Sequence, residues 1–294
     1  MTDVLVSIII PTYNRLEKLK KAIDSVLGQS YENFEIIVVD DGSTDGTKDY
    51  IRSILDDSRI KYFYKVNEGL PSISRNLGAS HSKGKYLTFL DSDDEWSSDK
   101  LSIQVDFHEK NPDYIFSFTQ AQTVAKKNIS KSSLNKSGFI GKSLLLRNFI
   151  VTSSVLVKVD AFVACGGFSK DVSIVVAEDY DLWLKLSERG KAKFFKDALV
   201  RYELGNGLSS QNILLNLSCF YTVIVNALNR SRHGPLFNEL VIFLYWARCI
   251  SGSFRRHDVL SDSLIKIKTL KSNYLSRLGI LFVASVKGRL NENS

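Results

Sequence analysis

The run from Val4 to Pro11 (Val-Leu-Val-Ser-Ile-Ile-Ile-Pro) constrains the fold most. It is apolar and largely β-branched with no in-out alternation. As a strand it must be buried on both faces, the condition of a parallel sheet covered by helices. Phe34 to Val39 is a second such run and leads into Asp40-Asp41-Gly42-Ser43. Ile60 to Val66 is a third, and Tyr86 to Leu90 a fourth, leading into Asp91-Ser92-Asp93-Asp94. Between them, Leu16 to Leu27 places Leu16, Leu19, Ile23, Val26 and Leu27 on one helical stripe. Asp45 to Leu55 and Pro71 to Ser80 also read as helices. This rhythm predicts a doubly wound α/β sheet with helices on both faces. Ligands of such sheets bind beyond the carboxyl ends of the strands, where both acidic clusters fall.

Further along, Asn111 to Thr123 and Val151 to Val159 are expected strands, and Ala125 to Ser137, rich in Lys, Ser and Asn, an expected loop. Glu178 to Arg189 is an expected helix with Tyr180, Leu182, Trp183 and Leu186 as its apolar positions. Beyond Gln211 the pattern turns helical, with apolar runs at Leu236 to Ile250 and Leu275 to Val286. Two domains are therefore expected, an α/β domain over 1–210 and a helical extension over 211–294. Charge divides along the same line. Residues 1–205 hold 28 Lys and Arg against 28 Asp and Glu, whereas 206–294 hold 11 against 4, the whole net charge of +7. Such a basic part suits an anionic membrane surface, a negatively charged acceptor or nucleic acid, or is an ordinary solvated face. No nucleic-acid-binding module is recognisable, so no nucleic acid partner is expected. The apolar runs fall short of the roughly 20 residues a membrane span requires. Cys165, Cys219 and Cys249 are scattered and in no metal-ligand spacing. With no basic-then-apolar leader at the start, they read as reduced thiols of a cytoplasmic protein.

Three clusters carry chemistry. Asp91-Ser92-Asp93 offers two closely spaced hard-oxygen ligands for Mg2+ or Mn2+, which complete their shells with water and phosphates. The plainer alternative is that these residues cap a helix expected over Ser97 to Glu109. Asp40 and Asp41 are placed to accept from a base N–H or a ribose hydroxyl, or else belong to an Asp-Gly turn. Glu178, Asp179 and Asp181 open a helix, as acidic residues do through the macrodipole; one of them, poised near neutral pH, would serve as a general base. No G-x-G-x-x-G follows the first strand, since Pro11-Thr12-Tyr13-Asn14 stands there. That argues against a dinucleotide-dependent oxidoreductase.

Taken together the chain resembles the family 2 inverting glycosyltransferases of GT-A fold. The resemblance lies in Ser7 to Arg15, Val38 to Asp45, Ser74 to Ala79, Gly84 to Asp94 and Ala177 to Trp183, in order, over about two thirds of the chain; it stops before Gln211. It implies a Rossmann-like nucleotide-sugar-binding mixed sheet with a C-terminal helical extension. It further implies transfer of a hexose from UDP-Glc, UDP-Gal or UDP-GlcNAc, with Mn2+ or Mg2+, to a glycan or lipid-linked sugar acceptor of a cell-surface polysaccharide such as O-antigen or capsule. By resemblance, Pro11 and Tyr13 contact the donor's base, Asp41 accepts from uracil with Asp40 beside it, and Arg75 and Asn76 help position the nucleotide. Asp91 and Ser92 lie near the ribose and diphosphate. Asp93 is the direct metal ligand, with Asp91 in support, and Asp179 is the general base, aided by Glu178 and Asp181. Trp96 and Trp183 stack on sugar or are core aromatics. Many relatives carry an Arg and a His in a segment similar to Arg201 to Ser209, where this chain has Glu203 and Gly205. The competing readings are a catalytically silent sugar-nucleotide- or glycan-binding module of the same fold and, for the basic part, a subdomain that packs on the sheet or forms a homodimer instead of meeting the membrane surface.

Overall fold

The computed structural model describes residues 4–123, 136–203, 213–231 and 234–253. The chain divides into two compact units, Met1–Gly205 and Asn206–Ser294. In the first, β1 (Val6–Thr12), α1 (Leu16–Leu27), β2 (Phe34–Asp40), α2 (Thr47–Ile54), β3 (Ile60–Tyr64), α3 (Pro71–Ser80) and β4 (Tyr86–Phe89) alternate as the apolar runs predict. Then come β5 (Glu95–Trp96), α4 (Lys100–Lys110), β6 (Tyr114–Thr123), α5 (Gly141–Leu146), β7 (Val155–Lys158), α6 (Val159–Ala164), α7 (Glu178–Arg189) and β8 (Lys191–Tyr202). One eight-stranded sheet has the order β3-β2-β1-β4-β7-β6-β8-β5. The first four strands pair in parallel. β7 runs antiparallel to both neighbours, β8 parallel to β6, and β5 antiparallel to β8. The sheet is mixed, as the resemblance implies.

Both faces of β1 are covered, which explains why its sequence does not alternate. Val6, Ile8 and Ile10 point into a core with Ile36 and Val38 of β2, Leu19, Ile23 and Val26 of α1, Ile51 of α2, and Leu101 and Val105 of α4. On the opposite face Ile9 and Val39 meet α3 at Gly78. There Phe89, Phe162, Phe168 and Trp183 build an aromatic core, with Phe89 edge-on to Phe168 at 4.9 Å.

Some expectations need correction. Only Val155–Lys158 of the stretch 151–159 is strand. Thr152–Ser154 winds into a 3₁₀ turn, closed by Ser154 N donating to Val151 O at 2.9 Å, and Val159 already begins α6. The longest strand, β8, was not expected, because its lysines and Asp197 break the apolar pattern. Trp96 and Trp183 are buried core aromatics. The Trp96 indole N–H donates to Ser153 O at 2.8 Å.

The second unit contains α8 (Ile213–Arg230) and α9 (Pro235–Ser253). They pack through Tyr221 and Tyr245, ring centres 5.9 Å apart, and Tyr245 donates to the Leu217 carbonyl. No helix among the described residues is long and apolar enough to cross a membrane. The run Leu275 to Val286, the basic residues from Arg255 onward, Gly205 and nearly all of the expected loop at 125–137 lie outside the described residues.

Candidate active site

Three parallel strands end side by side. Thr12 of β1 lies opposite Asp40 of β2, and Ile9 opposite Phe89 of β4. Leu90 N then donates to Ile9 O at 3.0 Å, and the turn after it closes through Asp94 N to Asp91 O at 2.9 Å. These carboxylates do not cap α4, which begins later, at Lys100, after the N-cap residue Asp99.

On the β2 side, Asp40 is fully buried. It accepts from Ser43 N at 2.8 Å and from the Tyr62 hydroxyl at 2.7 Å, and burial together with the Asp40 charge raises the Tyr62 pKa. Asp41 accepts from Lys65 Nζ, from Glu68 N at 3.1 Å and from Gly69 N at 3.2 Å. It thereby shapes the loop after β3. Tyr13 is 46% exposed and Pro11 partly so. Between them and α1, Asn14 takes left-handed backbone with φ of 49°, held by Thr44 N donating to its side chain at 2.8 Å.

On the β4 side, a single buried guanidinium joins the two acidic clusters. Arg75 of α3 donates to Asp91 Oδ1 at 2.7 Å and to Glu178 Oε1 at 2.9 Å, and its plane lies 5.3 Å from the Phe168 ring centre. Burial opposes its charge, but Asp91 and Glu178 raise its pKa nonetheless. The neighbouring Asn76 uses both ends of its amide on the Phe168 backbone, at 2.8 and 3.0 Å. The turn at 152–154 serves both clusters as well. Thr152 donates to Asp179 Oδ2 at 3.0 Å, while Ser153 donates to Asp94 Oδ2 at 2.6 Å and accepts from Asp91 N at 3.1 Å. Arg15 Nη1 reaches Asp93 Oδ2 at 2.6 Å.

The site is short of positive charge. Among the described residues Arg15 is paired with Asp93, and Arg75 with Asp91 and Glu178, whereas Asp94 and Asp179 accept from the hydroxyls of Ser153 and Thr152. Burial, reinforced by Asp91, raises the pKa of Asp93 and lifts that of Asp94 to about 8. Burial likewise raises Asp179 and lifts Glu178 to about 7, against the pull of Arg75. The pKa of the Tyr202 hydroxyl at the end of β8 is pushed up by burial and by the charges of Asp91, Asp94, Asp179 and Asp93. Hard oxygen ligands with unmet negative charge suit a divalent cation. No group of three or more His, Cys, Asp and Glu among the described residues forms a cage by itself. Mg2+ and Mn2+ need only one or two carboxylates when phosphates supply the rest.

Of the expected residues, Asp91, Glu178 and Asp179 are thus joined through Arg75 and the 152–154 turn, with Asp93 beside them and Ser92 buried in the same turn. Asp181 is instead paired with Lys185 one turn along α7, at 2.6 Å. Arg15, Asp94, Thr152, Ser153 and Tyr202 were not singled out by sequence reasoning. The available signals were a polar Thr152-Ser153-Ser154 inside an apolar stretch and a third Asp in the acidic run.

The sequence pattern described as Glycosyl transferase family 2 matches residues 7–165. An uncharacterised glycosyltransferase of Rickettsia bellii is 38% identical over 191 residues, 64% of this chain and 27% of its own length. The chain spans about a quarter of the length of that and two further Rickettsia relatives. TuaG of Bacillus subtilis, named as a glycosyltransferase of teichuronic acid biosynthesis, is 33% identical over 71% of this chain and 82% of its own. A Campylobacter jejuni GalNAc(5)-diNAcBac-PP-undecaprenol beta-1,3-glucosyltransferase is 39% identical over 47% of this chain and 43% of its own. Among solved structures, residues 1–349 of Staphylococcus aureus TarS in complex with UDP-GlcNAc superpose with a TM-score of 0.73, at 19% identity, over 90% of this chain and 78% of theirs. That likeness is one of fold.

Proposed function

Since the chain belongs to glycosyl transferase family 2, we propose that it transfers a hexose from a UDP-sugar to an acceptor sugar with inversion, using Mn2+ or Mg2+. The observation that carries this reading is the joining of the Asp91–Asp93 turn to the Glu178-Asp179 pair, through Arg75 and the 152–154 turn, at the carboxyl ends of parallel strands. Asp93, with Asp91, holds the cation. A cation bound there would supply the charge that offsets the departing nucleoside diphosphate. Tyr13 and Pro11 face the base, beside the Asp40 and Asp41 turns that fix the pocket wall.

Asp179 takes the proton from the acceptor hydroxyl. It is more exposed than Glu178, is oriented by Thr152, and burial raises its pKa, which makes it a stronger base than an ordinary carboxylate. Glu178 is bound to Arg75 and positions its neighbour. The freed hydroxyl attacks the anomeric carbon from the face opposite the diphosphate, so one displacement converts an α-linked donor into a β-linked product. The folds of this chain and a UDP-GlcNAc-bound protein agree, which supports UDP-Glc, UDP-Gal or UDP-GlcNAc as donor. The name of the Campylobacter relative supports a lipid-diphosphate-linked acceptor, and that of the Bacillus relative, from teichuronic acid biosynthesis, supports a role in cell-surface polysaccharide synthesis.

A membrane-linked acceptor fits the C-terminal part. It holds 11 Lys and Arg against 4 Asp and Glu, and Leu236, Leu240 and Leu244, four apart on α9, are 78%, 48% and 37% exposed. Basic residues each contribute about 1 kcal/mol at an anionic surface, so sedimentation with anionic vesicles should be strong at low salt and weak at high salt. Equal binding to neutral vesicles would contradict it. The function itself is tested by nucleotide release from a panel of UDP-sugars with oligosaccharide acceptors. Release from one of them, silenced by EDTA, is expected; full activity in excess EDTA would remove the metal from the account.

A further inference from the structure

Arg15 and Arg75 both neutralise the acidic site, but they are held very differently. Arg75 is buried, bonded to two carboxylates and stacked on Phe168, so it cannot leave without stranding charge inside the protein. Arg15 makes one such bond, to Asp93, and its side chain is 35% exposed. Its backbone is fixed at the start of α1, accepting from Lys18 N at 3.0 Å and Leu19 N at 2.9 Å. Asn14 before it is tied to the turn at 43–44. The residue is therefore a movable arm on a fixed base. The nearby Lys18 also bears on Asp93, but its nearest carboxylate is Glu203, at 3.9 Å.

We infer that Arg15 is an exchangeable counter-ion of Asp93, which releases the carboxylate to the divalent cation and then binds the donor's diphosphate. The inference rests on the reading of Asp93 as the metal anchor. A guanidinium and a cation on one carboxylate exclude each other, so the ion pair subtracts from metal affinity. Asp93 is only 15% exposed, so its charge must stay compensated when Arg15 leaves; a cation that takes the guanidinium's place would do that, while the 35% exposed Arg15 side chain turns toward water. The freed fork would remain near Asp93, within reach of phosphates that a cation held there would recruit, and guanidinium geometry matches phosphate oxygens. Metal-free protein would thus hold its acidic turn in shape without a bound ion, and Arg15 would favour diphosphate and metal arriving together.

The test is Mn2+ binding in the absence of nucleotide, by electron paramagnetic resonance of free Mn2+, and UDP binding at saturating Mn2+ by calorimetry. It compares wild type, Arg15→Gln, Arg15→Lys and Asp93→Ala. Arg15→Gln is expected to bind Mn2+ about twofold to fivefold tighter, the size of a partly exposed ion pair. UDP affinity should fall by a similar factor, with Arg15→Lys between it and wild type in both. If Asp93→Ala loses Mn2+ while Arg15→Gln binds it no tighter, the exchange is refuted and Asp93 keeps its role. Tighter Mn2+ with unchanged UDP affinity refutes the transfer to phosphate. If Asp93→Ala binds Mn2+ like the wild type, the anchor itself has been misplaced.

Discussion

Glu178 and Asp179 are adjacent in sequence but have separate partners. Glu178 is bound to the buried Arg75, whereas Asp179 takes a hydroxyl hydrogen bond from Thr152. That division assigns positioning to the first and proton transfer to the second. Thr152 tests it at small cost to the fold, since Val has the same shape and lacks the donor. Losing one hydrogen bond of about 1 kcal/mol corresponds to about a fivefold to tenfold fall in kcat. Thr152→Val should show that fall with KM for the donor unchanged, and Thr152→Ser should recover most of it. Unchanged turnover in Thr152→Val would mean that the hydroxyl does not orient the base. The roles of Thr152, Ser153 and Arg15 could not be assigned from the sequence because their partners are remote. Arg15 is 78 residues from Asp93, and Ser153 is 59 from Asp94. Asp91, Asp93, Glu178 and Asp179 were legible because each closes a strand or opens a helix whose apolar pattern is plain.

Among the elements, α3 carries Arg75 and Asn76 and sets how deeply they reach. Its contact with the sheet is made at Gly78, where an added Cβ would lie 2.6 Å from Ile9 Cγ2, 3.2 Å from Ile9 Cγ1 and 3.3 Å from Val39 Cγ2. Alanine in place of glycine favours a helix by about 1 kcal/mol. Overpacking a rigid core costs about 1–3 kcal/mol, and Ile9 is fully buried with nowhere to move. Sterics should win. Gly78→Ala is expected to lower the unfolding free energy by about 1–2 kcal/mol in urea titration and to reduce turnover by displacing Arg75; a variant as stable as wild type would show that α3 can shift. The strands β1 to β4 and the helices α1, α3 and α7 could be read from the sequence because burial on two faces, or on one stripe, leaves an unbroken signature. β8 could not, since it mixes buried Ala192 and Val200 with exposed Lys196 and Asp197. The strand over 151–159 was overextended because hydrogen bonds of Thr152 and Ser153 to distant carboxylates draw the chain into a turn that local preference does not reveal.

For the molecule as a whole, the unbalanced acidic site couples stability to pH and to cations. Glu178 is lifted from an ordinary 4.5 to about 7 in the folded protein, so the fold keeps a proton that the unfolded chain gives up earlier. Stability is therefore greatest below about pH 4.5 for this group, falls as pH rises through about 7, and levels off above, a loss of at most about 3 kcal/mol. Melting of metal-free protein between pH 5 and about 8 should show the decline, Glu178→Gln should flatten it, and Mn2+ should offset it at the alkaline end. A melting temperature that rises across that range would contradict the charge shortage. The central claim, that Asp179 moves the proton while Asp93 serves the donor, is tested most directly by measuring turnover and UDP–Mn2+ binding together in Asp179→Asn. The account predicts turnover reduced at least ~10²-fold with UDP affinity within about twofold of wild type. Wild-type turnover in Asp179→Asn would contradict it.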